Sequence, residues 1–405
     1  MNSTIVLEEM HGARNYHPLP IVLVRGEGVY LWDDEGKNYL DMMSAYSAVS
    51  FGHAHPRLVK ALTEQAQRLA VVSRAYHTDQ LPLFLEKICR LTGQDRALPM
   101  NTGAEAVETA LKAARKWAYK TKGVPHDRAE IITCEGNFHG RTIAIVGFSS
   151  EEQYRDGFGP FPAGFKSIPY GDVAALEAAI TPSTAAFLVE PIQGEAGIIV
   201  PPKGYLAECA RICQQHNVLL ICDEVQTGLG RTGKLLACEH DGVKPDGLIL
   251  GKALGGGLLP VSLFLARNDV MRVFTPGDHG STFGGNPLAA AVAIEAITVL
   301  VEEKLASRSA ALGSYFLRKL KSLSSPFIRD IRGRGLFIGM EIDPAKASAR
   351  TVCEQLAHHG ILSKETHETV VRFAPPLVIE REELDWAFTT IKEVLATMKP
   401  LVSAA

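Results

Sequence analysis

The sequence predicts an α/β fold built on a mainly parallel sheet flanked by helices, with a small α+β domain at the C-terminal end. Three observations carry that prediction. From about Val59 onward, helical patterns alternate with short apolar runs, the rhythm of a chain that repeatedly crosses back over one sheet. The runs AEIITCEG, TAAFLVEP, VLLICDE and DGLILG are rich in Val, Ile and Leu without polar alternation, as strands covered on both faces are. The chain of 405 residues, 46% hydrophobic and 21% charged, is long enough for two or three domains with sizeable cores.

The elements follow in order. Residues 1–46 read as an N-terminal segment whose run GEGVYLWDDEGKNYLDM is hairpin-like. Residues 47–304 read as the large domain. Its clearest helix is GAEAVETALKAARKWAYK, with Val107, Leu111, Ala114 and Ala118 along one face. After Gly280 a long helical stretch runs past Val301. Asn286, Pro287, Glu295 and a cluster of glycines make it a buried helix rather than a membrane span. Residues 305–405 read as the small domain, in which IRGRGLFIGMEI and VVRFAPP are strands beside helical ends. No internal repeat or low-complexity linker interrupts the chain.

Composition narrows the function. With 42 basic against 45 acidic residues, the net charge of −3 gives no field that would draw the chain onto nucleic acid or a membrane surface. The 7 cysteines are odd in number and never spaced C-x-x-C, which argues against disulfides or a zinc knuckle and for a reducing compartment. The start, MNSTIVLEEMHGAR, lacks the basic head and apolar core of a secretory signal, and Glu8 and Glu9 do not suit a transit peptide. A cytoplasmic protein is expected.

The chemistry concentrates where the apolar runs end, because open α/β sheets bind ligands outside the carboxyl ends of their strands. There the runs deliver Asp223, Glu190 and Lys252. Lys252 sits between an apolar strand and the run ALGGG, so its amine is partly desolvated, its pKa depressed, and it is a candidate for a Schiff base. A Walker loop is excluded: the position five before Gly251 is Asp246, and Ala253 replaces the required Ser or Thr. A strand-end carboxylate beside a lysine is what pyridoxal phosphate needs, the acid keeping the pyridine nitrogen protonated and the lysine holding the aldehyde as an imine. The phosphate would find a cradle in Asn101-Thr102-Gly103-Ala104, where a capped helix begins.

Two other patterns compete. Gly228-Leu229-Gly230-Arg231-Thr232-Gly233 matches G-x-G-x-x-G, which would suit a nucleotide-dependent oxidoreductase. That fingerprint should open a helix directly after a strand, yet four residues separate it from Asp223 and KLLACEHDG is a poor helix. His53 and His55 in GHAHP suggest a metal pair, but nothing nearby completes a ligand set, so no metal is expected and they read as loop packing.

The strings NTGAEAVETALKAARK, GNFHGRT, VEPIQGEAG, CDEVQTGLGRTG, LGKALGGGLLP and GSTFGGNP, in order over nearly the whole chain, resemble class III pyridoxal-phosphate aminotransferases of fold type I. NYHPLPIVLVRGEGVYLWD, SAYSAVSFGHAHP and VVRFAPPLVI are most similar to the ornithine δ-aminotransferase branch; N-acetylornithine and 4-aminobutyrate branches remain alternatives. The resemblance implies roles. Lys252 would hold pyridoxal 5′-phosphate and shuttle the proton; Asp223 would pair with the pyridine nitrogen and Gln226 would lie on the phenolic oxygen side. Phe138 would stack on the ring, and Gly103 and Ala104 would hold the phosphate. Thr282 would reach in from the neighbouring subunit, making a homodimer with shared sites the minimum active unit and leaving a higher oligomer open.

The resemblance also implies how two unlike substrates share one site. L-ornithine must react through its distal amine, whereas the carboxylate of 2-oxoglutarate lies beside the reacting carbonyl. Glu195 would neutralise Arg372 while ornithine is bound and move aside when the oxo acid enters. Arg141 would take the far carboxylate in both halves of the reaction. Tyr16 and Tyr46 would line the site, Tyr16 reaching the α-amino group of ornithine. An arginine inside the apolar run of VVRFAPP requires a buried partner on desolvation grounds alone.

Overall fold

The computed structural model describes residues 2–400. The hairpin-like N-terminal run folds into three antiparallel strands, β1 (Leu23–Glu27), β2 (Tyr30–Asp33) and β3 (Asn38–Asp41). The central sheet follows with β4 (Arg96–Met100), β5 (Glu130–Cys134), β6 (Phe165–Ile168), β7 (Thr184–Val189), β8 (Leu219–Asp223), β9 (Gly247–Leu250) and β10 (Ser262–Ala266). Its spatial order is β4-β10-β9-β8-β7-β5-β6. β5 to β9 run parallel to one another, and β10 alone is reversed, antiparallel to both β9 and β4. Every residue of β7, β8, β9 and β10 is buried, which is why those runs carry no polar alternation.

The helix Gly103–Trp117 packs its apolar stripe on this sheet: Val107, Leu111 and Ala114 are all buried, as is Ala118 in the turn that follows. Helix Pro287–Glu302 starts later than Gly280, because Asn286 caps it by accepting from the Ala289 amide and Pro287 takes the first turn, where no amide donor is needed. Among the described residues no helix is long and apolar enough to cross a membrane.

The C-terminal part contributes β11 (Ile328–Arg334), β12 (Phe337–Ile342), β13 (Ile361–Leu362), β14 (Lys364–Thr366) and β15 (Val370–Phe373). The run IRGRGLFIGMEI gives two strands rather than one, β11 and β12, turning at Gly335 (φ +56°). β11, β12, β15 and β14 form one antiparallel sheet, while β13 leaves it to pair in parallel with β3. The first 46 residues and the C-terminal part therefore share a sheet.

One segment between them is unusual. Ser44, Ala45, Tyr46 and Ser47 have φ of 43°, 45°, 58° and 74°, four consecutive left-handed residues without a glycine. Each costs roughly 1–2 kcal/mol relative to a right-handed conformation, so the surrounding contacts hold the turn in place.

Candidate active site

The ends of β8 and β9, the head of helix Gly103–Trp117 and the loops after β5 and β7 converge on a cavity of ≈ 160 Å³. Gly103, Ala104, Phe138, His139, Glu190, Asp223, Gln226 and Lys252 line it. Lys252 lies two residues past the end of β9, after Gly251, and itself adopts a left-handed backbone (φ +47°). Burial lowers its pKa to about 8; Arg372 acts in the same direction, and Glu195, Asp223 and Glu190 oppose. An amine in that range is a far better nucleophile and base at neutral pH than an ordinary lysine.

Asp223 closes β8 with its carboxylate held from two sides. His139 Nδ1 lies 2.7 Å from Oδ2, and the Val225 amide donates to Oδ1 at 3.0 Å. His139 is buried, which disfavours its charge, yet the bond to Asp223 and the nearby Glu190 prevail and raise its pKa. Its Nε2 has no partner among the described residues. Glu190, which ends up beside them, is pushed up to about 7, chiefly by burial. It accepts from the amides of Phe138 and Gly194 at 2.9 and 3.3 Å, so it fixes the two loops that carry Phe138 and Glu195.

The opposite side of the cavity is built for an anion. Thr102 is the cap of helix Gly103–Trp117, in a capping box with Glu105. The box satisfies the amides of Asn101, Thr102 and Glu105. The amides of Gly103 and Ala104 are left without an acceptor among the described residues, as the first amides of a helix are. A phosphate group fits this donor set and the positive end of the helix. A Cβ added to Gly103 would come within 3.1 Å of Val225, so the glycine keeps the cradle open.

A second cluster lies on the side of β15. Arg372 is 1% exposed and meets both oxygens of Glu195, Nη1 at 3.1 Å and Nη2 at 3.0 Å. Gln226 bridges the pair: Nε2 donates to Glu195 at 2.8 Å and Oε1 accepts from Arg372 at 3.3 Å. Burial raises the pKa of Glu195, but Arg372, Lys252 and the bond from Gln226 outweigh it and keep the carboxylate ionised. The Tyr46 ring sits 5.3 Å from the Arg372 guanidinium and 5.8 Å from Lys252 Nζ. Its hydroxyl is held protonated, first by burial and then by the charge of Glu195.

The remaining sequence-predicted residues are less enclosed. Arg141 is exposed, its guanidinium lying 3.6 Å from the Tyr154 ring centroid and 5.5 Å from that of Phe138. Tyr16 is 77% exposed. Thr282 is exposed and does not line the cavity.

Several residues went unread in the sequence. Tyr154 shelters Arg141, but it lies in a short polar helix, Glu152–Arg155, with no signal around it. The partnership of His139 with Asp223 was open to inference only from the unusual pair Phe-His after a buried strand. The 228–233 glycines serve packing: a Cβ on Gly233 (φ +92°) would meet Ala310 of helix Leu305–Lys321 at 2.9 Å. No helix opens there, and a 3₁₀ turn, Ala237–Asp241, follows instead. His53 pairs with Asp41 at 2.8 Å and His55 with Glu303 at 3.3 Å, and no three potential metal ligands gather among the described residues.

Comparison with known proteins adds to this geometry. Residues 11–395 match the family model for class-III aminotransferases. The chain is 60% identical over 392 residues to an ornithine aminotransferase of Geobacillus sp. (strain WCH70), covering 97% of this chain and 98% of that one. Among solved structures it is similar to the ornithine aminotransferase of Toxoplasma gondii, in whose crystal PLP partly occupies the active site (TM-score 0.96, 48% identity, 97% and 93% covered). It is also similar to an acetylornithine aminotransferase from Elizabethkingia anophelis (TM-score 0.89, 49% identity, 98% of both chains).

Proposed function

The chain belongs to the class-III aminotransferases, and we propose that within that family it transfers the δ-amino group of L-ornithine to 2-oxoglutarate with pyridoxal 5′-phosphate as cofactor. The products are glutamate and glutamate 5-semialdehyde, which closes on its own α-amine to pyrroline-5-carboxylate. When bound, the cofactor supplies an aldehyde that captures amines and a ring that takes up electrons from the reacting carbon. The unengaged amides of Gly103 and Ala104 fit its phosphate, and Asp223 is the carboxylate that keeps its ring nitrogen charged. Phe138 covers the ring, and Gln226 Nε2, bonded to Glu195 through one proton, has a second for the phenolic oxygen.

Lys252 then acts twice. It would hold the cofactor before the substrate arrives, and once released its Nζ would take the proton from the δ-carbon of the donor and give it to the carbon that receives the amine. His139 keeps the Asp223 carboxylate in place from behind.

The observation that carries the choice of a distal amine is the bidentate pair of buried Arg372 with Glu195, while Tyr16 and Tyr46 carry the choice of ornithine over its N-acetylated relative. A bare guanidinium beside Lys252 would recruit an α-carboxylate and bring the wrong amine to the reacting position. With Glu195 in place that charge is cancelled, and a donor is admitted by its distal amine. Glu195 swinging off Arg372 then opens a fork for the carboxylate next to the carbonyl of 2-oxoglutarate. Arg141 takes the far carboxylate of either substrate, and Tyr16 and Tyr46 flank the donor. Thr282 completes the site of a neighbouring subunit, so the active unit is a homodimer, with the cytoplasm as its setting.

A second reading has one observation behind it, the 49% identity to an acetylornithine aminotransferase. One experiment separates the two. The loss of the cofactor's visible band is followed with ornithine, N-acetylornithine and 4-aminobutyrate in turn. Ornithine should give the highest kcat/KM and pyrroline-5-carboxylate as product; a preference for N-acetylornithine overturns the assignment.

A further inference from the structure

We propose that Arg231 is a positioning residue for substrate choice, its guanidinium holding the left-handed turn that sets Tyr46 against Arg372 and Lys252. The inference rests on the ornithine reading, because it concerns how the substrate end of that site is held.

Arg231 lies in the middle of the glycine-rich loop and is 0% exposed. Its guanidinium meets four acceptors, all of them neutral. Nη1 donates to the carbonyls of Leu336 and Pro375 at 3.0 and 2.5 Å, and Nη2 to the hydroxyls of Ser44 and Ser50 at 3.2 and 3.0 Å. No carboxylate pairs with it among the described residues, and its Nε has no partner. Burial disfavours its charge, and only Asp41 opposes that, through its charge and without a bond to the guanidinium, so it is a costly way to fill space. Only the guanidinium fork reaches four acceptors from three separate segments at once.

Those segments are the ones that meet at the substrate end. Ser44 begins the left-handed run and Ser50 lies just beyond it, while Pro375 stands three residues after Arg372. The Ser44 hydroxyl also donates to the Ala374 carbonyl at 2.6 Å, and the Ala374 amide donates to the Met42 carbonyl at 2.7 Å. Arg231 therefore fastens the turn that carries Tyr46 to the end of the strand that carries Arg372. The four non-glycine residues of the turn oppose their own backbone conformation, and without the clamp they relax toward ordinary regions, taking Tyr46 with them. A lysine here has one point charge and cannot span both hydroxyls and both carbonyls.

The test uses holoenzyme: wild type, Arg231→Lys, and Arg231→Lys combined with Ala45→Gly. Glycine takes a positive φ without the penalty that alanine carries, so it should restore the turn only if the clamp works against backbone strain. Arg231→Lys should raise hydrogen exchange in residues 41–51 about tenfold and lower the ornithine half-reaction about tenfold, with cofactor content unchanged. The double variant should recover most of both losses. A purely structural arginine would spread the exchange increase over the whole chain, and glycine would make it worse. If Arg231→Lys does not fold, Ser50→Ala removes a single acceptor and should raise exchange in the same segment about threefold. Unchanged exchange at 41–51 in the variants that fold, or no recovery with Ala45→Gly, overturns the proposal. Wild-type enzyme that ignores ornithine would instead sink the substrate reading, leaving the exchange result to judge the clamp.

Discussion

The two ends of the cavity are built in different ways. The cofactor end stands on the most regular part of the molecule: fully buried strands β8 and β9 deliver Asp223 and Lys252, and a capped helix offers its first amides. The end proposed for the substrate is assembled from a C-terminal strand, a loop after β7, a strained turn and an exposed N-terminal tyrosine. Chemistry common to all substrates is placed where the fold is stiffest. On the proposed reading, discrimination falls where segments from distant parts of the sequence meet, at Glu195, 22% of whose side chain is exposed.

Breaking the stiff end should have the largest effect. Lys252→Ala removes the only amine among the described residues that line the cavity and should lower turnover by about 10⁴-fold, with an unchanged far-ultraviolet circular dichroism spectrum. Borohydride should no longer fix the cofactor to the chain. Asp223→Asn should cost about 10²-fold in kcat, since the amide cannot stabilise a protonated ring nitrogen, and it should bring the His139 pKa down by replacing the charged partner that raises it with a neutral one. The imidazole resonances of His139 followed against pH would report that shift.

The same contrast explains what the sequence made legible. Lys252, Asp223 and a helix cap at Asn101 or Thr102 were readable because each depends on neighbours within a few positions: an apolar run, then a polar residue or a glycine. Val107, Leu111, Ala114 and Ala118 were readable because helical spacing alone brings them together. The parallel pairing of β13 with β3 was not, since two residues from the far end of the chain complete an N-terminal sheet. Nor was the left-handed turn, because Ser-Ala-Tyr-Ser contains none of the glycines or asparagines that mark positive φ. Arg231 hid inside a glycine pattern read for its glycines, and its four acceptors come from residues 44, 50, 336 and 375. The Glu195–Arg372 pairing came from the family resemblance; the residues themselves said only that Arg372 needed a buried partner.

Smaller effects sharpen the comparison. In cofactor-stripped protein, Lys252 titrates at about 8 against an ordinary 10.5. Between those pH values the unfolded chain holds a proton that the folded chain has released, so stability rises with pH. Wild type should gain up to roughly 3 kcal/mol over Lys252→Met between pH 8 and 10.5, read from urea unfolding at the two ends of the window. Tyr16→Phe should do least. It removes one hydroxyl from an exposed residue, raising KM for ornithine about threefold and leaving the glutamate half-reaction unchanged.

The central claim is that Glu195 masks Arg372, and single-turnover kinetics of Glu195→Ala test it most directly. Loss of the cofactor band is followed with ornithine and with glutamate as separate donors. A buried arginine–carboxylate contact is worth about 1.5–3 kcal/mol, so uncovering Arg372 should shift the ornithine-to-glutamate preference by about 10- to 100-fold toward glutamate. An unchanged preference would contradict the masking account and leave the cofactor chemistry of Lys252 and Asp223 standing.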